Sequence, residues 1–144
     1  MQPGIPSFRL RLGLGVTIFG LFLLLLGARP SMFGLDRSPV VGFVQIATMI
    51  IGLGVICVGG YISLSSLWNG TSRSIAADIG LRLIATGYVI AVFTGMADMF
   101  GLGSHTYPTL AYFGHLQARG VELGELVIAI GFLMLLPGWR RKPR

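Results

Sequence analysis

Four long apolar stretches, separated by short polar segments, dominate the sequence; they cover residues 10–28, 40–67, 79–100 and 121–138. Each has about the length that an α-helix needs to cross a hydrocarbon core of about 30 Å. Helices are expected because backbone N–H and C=O groups need internal partners in lipid, and the stretches lack the alternation of a membrane β-barrel. The pattern predicts an all-α, polytopic integral membrane protein whose four transmembrane helices form one domain, residues 1–144.

Small residues recur at every seventh position in all four predicted helices, and we call each such row a glycine stripe. The glycines of the stripes are Gly13, Gly20, Gly27, Gly52, Gly59, Gly80, Gly87, Gly124 and Gly131. Seven residues fall slightly short of two helical turns, so a stripe stays in contact only if the helices wind around each other left-handed. Small residues also let helix backbones approach closely in lipid. The stripes predict helix packing in a left-handed bundle, and they leave open whether they face one another or a separate protein.

Similar segments recur in the two halves of the chain. Residues 11–12 resemble 82–83, residue 68 matches 139, residues 32–35 match 99–102, and residues 52–59 resemble 124–131. A recurrence of this kind is typical of membrane proteins that are built from two parallel repeats around an axis normal to the membrane. We interpret it as a tandem duplication of a helical hairpin.

The composition agrees with a lipid environment, and the positions of the charges predict an orientation. The chain is 53% hydrophobic and 11% charged, with a mean hydropathy of +0.80, whereas a soluble domain has about 25% charged residues. With four spans, the N-terminus, the middle loop and the C-terminus share one side, which carries eight of the eleven Lys and Arg residues. The positive-inside rule places that side, with both termini, in the cytoplasm, where Trp68 and Trp139 would lie at the interface. The partner expected for the basic tail is anionic lipid, and nucleic acid is not expected.

Polar side chains that could carry chemistry lie near the two ends of the predicted bundle. Asp78 and Arg82 are four residues apart on the third helix, in the order that favours an interfacial ion pair. At the other end is a group that we call the outer cluster: Asp98, His105, His115, Glu122 and Glu125. Its residue types suit a divalent metal or a quinone headgroup, but they lack a tight ligand spacing such as HExxH. We expect instead that these groups form hydrogen bonds and ion pairs with one another. Glu125, which lies deepest in the predicted span, is the strongest candidate for a functional role.

The sequence predicts no enzymatic activity, no cofactor and no metal, and bound lipid is expected. The leading hypothesis is a non-catalytic accessory or structural subunit of a larger membrane complex, with respiratory and photosynthetic electron transport as settings. It would pack against other transmembrane subunits through its glycine-rich helix faces. One alternative is a homo-oligomeric channel or carrier for an apolar or uncharged solute. A second alternative is a membrane enzyme, or a redox or metal-binding protein, that uses the outer cluster.

Overall fold

The computed structural model describes residues 7–35, 42–102 and 114–137. Within these ranges the chain is helical and contains no strand. Its α-helices are α1 (Ser7–Ala28), α2 (Phe43–Ser66), α3 (Ile75–Gly95) and α4 (His115–Leu135), and a 3₁₀-helix covers Pro30–Phe33. His105, Trp139 and the basic C-terminal tail lie outside the described residues, so the predictions that concern them stay predictions.

Three of the helices are long and apolar enough to cross a membrane, namely Phe8–Ala28, Phe43–Ser66 and Ile75–Gly95. For these three the prediction of apolar membrane helices is confirmed, and the chain has the character of a helical membrane protein. α4 is as long as α3, at 21 residues. It is not among the three because Arg119, Glu122 and Glu125 all lie in its first half.

The bounds of α3 differ from those of the apolar stretch because a capping side chain sets its start. The helix begins at Ile75 instead of Ile79 and ends at Gly95. Immediately before it, the hydroxyl of Ser74 accepts a hydrogen bond from the backbone N–H of Ala77 at 3.2 Å. A serine at this position satisfies one of the N–H groups that a helix leaves without a partner in its first turn.

The start of α4 is also set by a side chain and not by hydropathy. The helix begins at His115, well before Val121, where the apolar stretch starts. The side-chain oxygen of Gln117 accepts a hydrogen bond from the backbone N–H of Gly114 at 2.8 Å, which fixes the first turn. His115, which lies outside the predicted stretch 121–138, is therefore the first residue of a helix.

The four α-helices form two antiparallel pairs: α1 packs along α2, which we call the first hairpin, and α3 packs along α4, the second hairpin. Contact between the hairpins is much less extensive. They meet through side chains; for example, a Cβ atom placed on Gly60 would lie 2.6 Å from the ring of Phe132. At one end the indole N–H of Trp68 donates a hydrogen bond to the carbonyl of Leu135 at 2.9 Å. This bond joins the turn after α2 to the last residue of α4.

Candidate functional site

The glycine stripes of α1 and α2 lie against the backbone of the opposite helix. A Cβ atom built on Gly20 would lie 2.7 Å from the backbone nitrogen of Ile56 and 2.9 Å from the carbonyl oxygen of Gly52. A Cβ atom on Gly59 would lie 2.9 Å from the carbonyl oxygen of Gly13. Real Cβ atoms essentially never approach other atoms this closely, so a larger residue at these positions requires the two backbones to move apart.

The stripes of α3 and α4 face each other in the same way, and here the contacts are reciprocal. A Cβ atom on Gly87 would lie 2.6 Å from the carbonyl oxygen of Gly124, and a Cβ atom on Gly124 would lie 2.6 Å from that of Gly87. Gly80 and Gly131 show the same pair of distances. The stripes therefore face one another inside each hairpin, which the sequence left open. That these glycines hold the bundle together stays a prediction.

The described serine and threonine side chains within the helices donate hydrogen bonds to carbonyl groups of their own helix. Thr17 donates to the carbonyl of Gly13 at 2.8 Å, and Ser63 donates to that of Gly59 at 2.9 Å, so both bonds end on glycines of the stripes. Thr94 likewise donates to the carbonyl of Ile90 at 2.7 Å. Each of these hydroxyls therefore has its hydrogen-bond acceptor in the same helix, as is common for Ser and Thr in membrane helices.

An apolar groove of about 400 Å³ opens on the side of the bundle where α1, α2 and α3 meet. It is lined by Val16, Ile51, Gly54, Val55, Val58 and Tyr88. The phenol of Tyr88 packs against Gly54, since a Cβ atom there would lie 2.7 Å from the Tyr88 Oη. Gly54 is at the midpoint of α2, so this hydroxyl lies halfway along the helix. The sequence did not indicate the groove because its lining comes from three helices and contains one polar side chain.

Four residues of the outer cluster lie in the described part of the chain, and the fifth, His105, does not. Asp98 and Glu125 are half-buried, whereas His115 and Glu122 are exposed on the first two turns of α4. Among the described residues, no three His, Cys, Asp or Glu side chains are grouped so that they could hold a metal ion. The ligand-binding alternative for this cluster stays a prediction.

The opposite end of the bundle carries Asp78 and Arg82 and a contact that the sequence did not reveal. Asp78 and Arg82 are both exposed in the first turns of α3, and their ion pair stays a prediction. Between α2 and α3, the guanidinium of Arg73 lies over the ring of Tyr61, with its carbon 5.5 Å from the ring centroid. One of its nitrogens donates a hydrogen bond to the Tyr61 hydroxyl at 3.1 Å. The two residues are 12 positions apart on either side of a turn, a separation that no periodic pattern marks.

Comparison of the chain with protein families, with curated proteins and with solved structures finds no match to any of them.

Proposed function

We propose that the chain is a non-catalytic structural subunit of a larger membrane complex, with the electron-transport complexes of respiration or photosynthesis as settings. The observation that supports this proposal is the position of the stripe glycines, which lie against the backbone of the neighbouring helix. Within each hairpin they bring two backbones into contact over several turns. Two helices in such close contact form a stiff unit, which suits a part that positions its neighbours.

The outward faces of the hairpins support the same proposal. Large apolar side chains project from every α-helix and are largely exposed, among them Ile18 at 67%, Val44 at 74%, Ile75 at 81% and Leu116 at 78%. In a membrane such faces are covered by lipid or by the helices of another subunit. Because the glycine stripes are occupied inside the chain, we expect a partner to contact these outward faces, and not the stripes as the sequence suggested.

We infer further that α4 is the fourth membrane span and that the helices wind left-handed. α4 runs beside α3 through Gly124 and Gly131, so a bilayer that receives α3 also receives α4. Arg119 and Glu122, in its first two turns, would then lie at the level of the headgroups, and Glu125 would be the deepest charged group. The period of seven in the glycine stripes supports the left-handed sense.

A tandem duplication of the hairpin is supported by a register that the glycine contacts define. Three pairs are separated by 67 residues in the sequence: Gly13 and Gly80, Gly20 and Gly87, and Gly34 and Gly101. Three further pairs are separated by 72 residues: Gln45 and Gln117, Gly52 and Gly124, and Gly59 and Gly131. Gly34 and Gly101 both have a positive φ, of 66° and 72°. Gln45 and Gln117 both accept a hydrogen bond from the glycine that precedes their helix. The distances differ because the α3–α4 connection is five residues longer than the α1–α2 connection.

We also infer that both termini are cytoplasmic, because arginines outnumber acids at the end of the bundle where α1 begins. The test uses a Cys57→Ser background with one new cysteine at an exposed position, either Ser31→Cys or Ser72→Cys. A membrane-impermeant maleimide should label the Ser31→Cys variant in intact cells and the Ser72→Cys variant only after the cells are opened. The reverse result would invert the orientation.

The structural role is tested by purifying the chain from its native membrane in a mild detergent and identifying the co-eluting chains by mass spectrometry. We expect one or more other transmembrane proteins at a fixed stoichiometry. Replacing an outward apolar residue by a polar one of similar size, for instance Leu116→Gln, should weaken that association while the chain stays monodisperse. Elution as a homo-oligomer without other chains would contradict the proposal.

A carrier for an apolar solute is a second candidate, and the groove beside Tyr88 favours it. The variant Val58→Trp places a large ring in the groove, whereas Val89→Trp places the same ring on an exposed position of α3 that does not line it. If the groove binds a solute, the purified chain should contain an apolar compound that the first variant loses and the second retains. Equal amounts of the compound in both variants would exclude the groove as its site.

A further inference from the structure

The described charges are distributed unequally between the two ends of the bundle. The end where α1 and α3 begin, which we call the basic end, carries Arg9, Arg11, Arg73 and Arg82 with one acid, Asp78. The opposite end carries Arg29 and Arg119 with two acids, Asp98 and Glu122, and a further acid, Glu125, lies near the middle of α4. Among the described residues, the basic end therefore has a net positive charge that attracts anions, and the opposite end has no such excess.

At the basic end Arg73 differs from the other three arginines, because its side chain is held in place by Tyr61. The ring of Tyr61 supports the flat face of the Arg73 guanidinium, and the Tyr61 hydroxyl accepts one of its N–H groups. Tyr61 belongs to the second-last turn of α2, so Arg73 reaches back from the α2–α3 turn along the helix. If α2 and α3 span a membrane, the turn between them lies at the headgroup layer, which contains the phospholipid phosphates.

We propose that Arg73, held by Tyr61, binds the phosphate group of an anionic phospholipid. A guanidinium has five N–H donors in a planar fork, and the bond to Tyr61 leaves others for the oxygens of a phosphate, which it pairs bidentately. The contact with Tyr61 has already restricted a long side chain, so less conformational freedom is lost when the lipid binds. The net charge of the headgroup decides which lipid is bound, because the positive potential of the four arginines at the basic end repels the cationic group of a zwitterionic lipid.

The test uses the full chain in detergent, incubated with an equimolar mixture of phosphatidylglycerol and phosphatidylcholine, and measures the retained lipid by native mass spectrometry. The wild type should retain phosphatidylglycerol in preference. The variant Arg73→Gln should reduce this preference about fivefold, the factor that corresponds to one arginine near an anionic surface. Tyr61→Leu, which keeps Arg73 but removes its support, should reduce the preference by a smaller factor.

Arg29→Gln is the matched control, because Arg29 is also an exposed arginine beside a helix end, but at the opposite end of the bundle. It should leave the lipid preference unchanged. The proposal is overturned if Arg73→Gln retains the wild-type preference, or if Arg29→Gln lowers it equally. Inorganic phosphate is then added and compared with sodium chloride of equal ionic strength. Retention of the lipid supports the lipid site, whereas displacement by phosphate alone would assign Arg73 to a soluble phosphate and overturn the lipid assignment.

Discussion

The reciprocal contact between Gly87 and Gly124 leads to the sharpest quantitative prediction. The variant Gly87→Ala adds a Cβ atom 2.6 Å from the Gly124 carbonyl oxygen and 2.9 Å from the backbone nitrogen of Ile128, whereas ordinary contacts begin at 3.4 Å. The atoms in the way belong to a helix backbone and cannot rotate aside. The two helices must therefore separate by about 0.8 Å at this point.

The cost of that separation follows from the loss of close packing. A gap of about 0.5–1 Å forfeits roughly a quarter to a half of the attraction at each affected contact. Overpacked sites in well-packed proteins cost about 1–3 kcal/mol. We expect Gly87→Ala to lower the free energy of unfolding by about 2 kcal/mol. The double variant Gly87→Ala/Gly124→Ala should cost less than twice that amount, because the first methyl group has already moved the helices apart and made room for the second.

Stability is measured by titrating the protein in mild detergent with sodium dodecyl sulfate and following tryptophan fluorescence. A Trp139→Phe background leaves Trp68, which is buried at the contact between the hairpins, as the one tryptophan of the chain. The matched control is Gly15→Ala on α1, where a new Cβ atom has nothing within 4 Å. That control should unfold at the wild-type detergent fraction or slightly above it. If Gly87→Ala unfolds together with Gly15→Ala, or if the costs of the two methyl groups simply add, the backbone contact is not what holds α3 to α4.

Three further substitutions test single features with the same titration, followed by circular dichroism. Trp68→Phe removes the hydrogen bond to Leu135 and should cost about 1 kcal/mol, and an unchanged midpoint would mean that this bond does not hold the hairpins together. Gly101→Ala should cost about 1–2 kcal/mol, because φ is 72° there and the site is otherwise open, so a smaller loss would count against the left-handed turn. Ser74→Ala removes the hydroxyl that caps Ala77 and should cost about 1 kcal/mol, which Ser74→Asp should restore.

Hydropathy was sufficient to predict the three helices that are apolar along most of their length. α1, α2 and α3 are apolar along nearly their whole length, so lipid solvates them and the backbone must be helical. α4 is less clear because its first half mixes Arg119, Glu122 and Glu125 with apolar residues. Its start depends on the hydrogen bond from the Gly114 N–H to the Gln117 side chain. A hydropathy value averaged over a window of residues cannot represent such a local bond.

Contacts between distant parts of the chain were harder to predict, for two different physical reasons. A stripe of glycines identifies a face that can be approached closely, but it does not specify the partner, so the pairing of Gly87 with Gly124 needed the structure. The contact of Arg73 with Tyr61 has no periodicity at all, because it depends on how one turn folds back on the end of a helix. The short sequence matches also disagreed with one another, since Arg11 with Arg82 gives a repeat of 71 residues and 32–35 with 99–102 gives 67. The glycine contacts support 67 for the first helix of each hairpin.

The bond from Trp68 to Leu135 also bears on the order in which the protein is made. Trp68 is synthesised long before Leu135, which is the final residue of α4. Until the last turn of that helix is in place, the indole N–H cannot donate to the Leu135 carbonyl. A nascent chain truncated just before Leu135 should contain all four helices and still lack the hydrogen bond that fastens the two hairpins at this end.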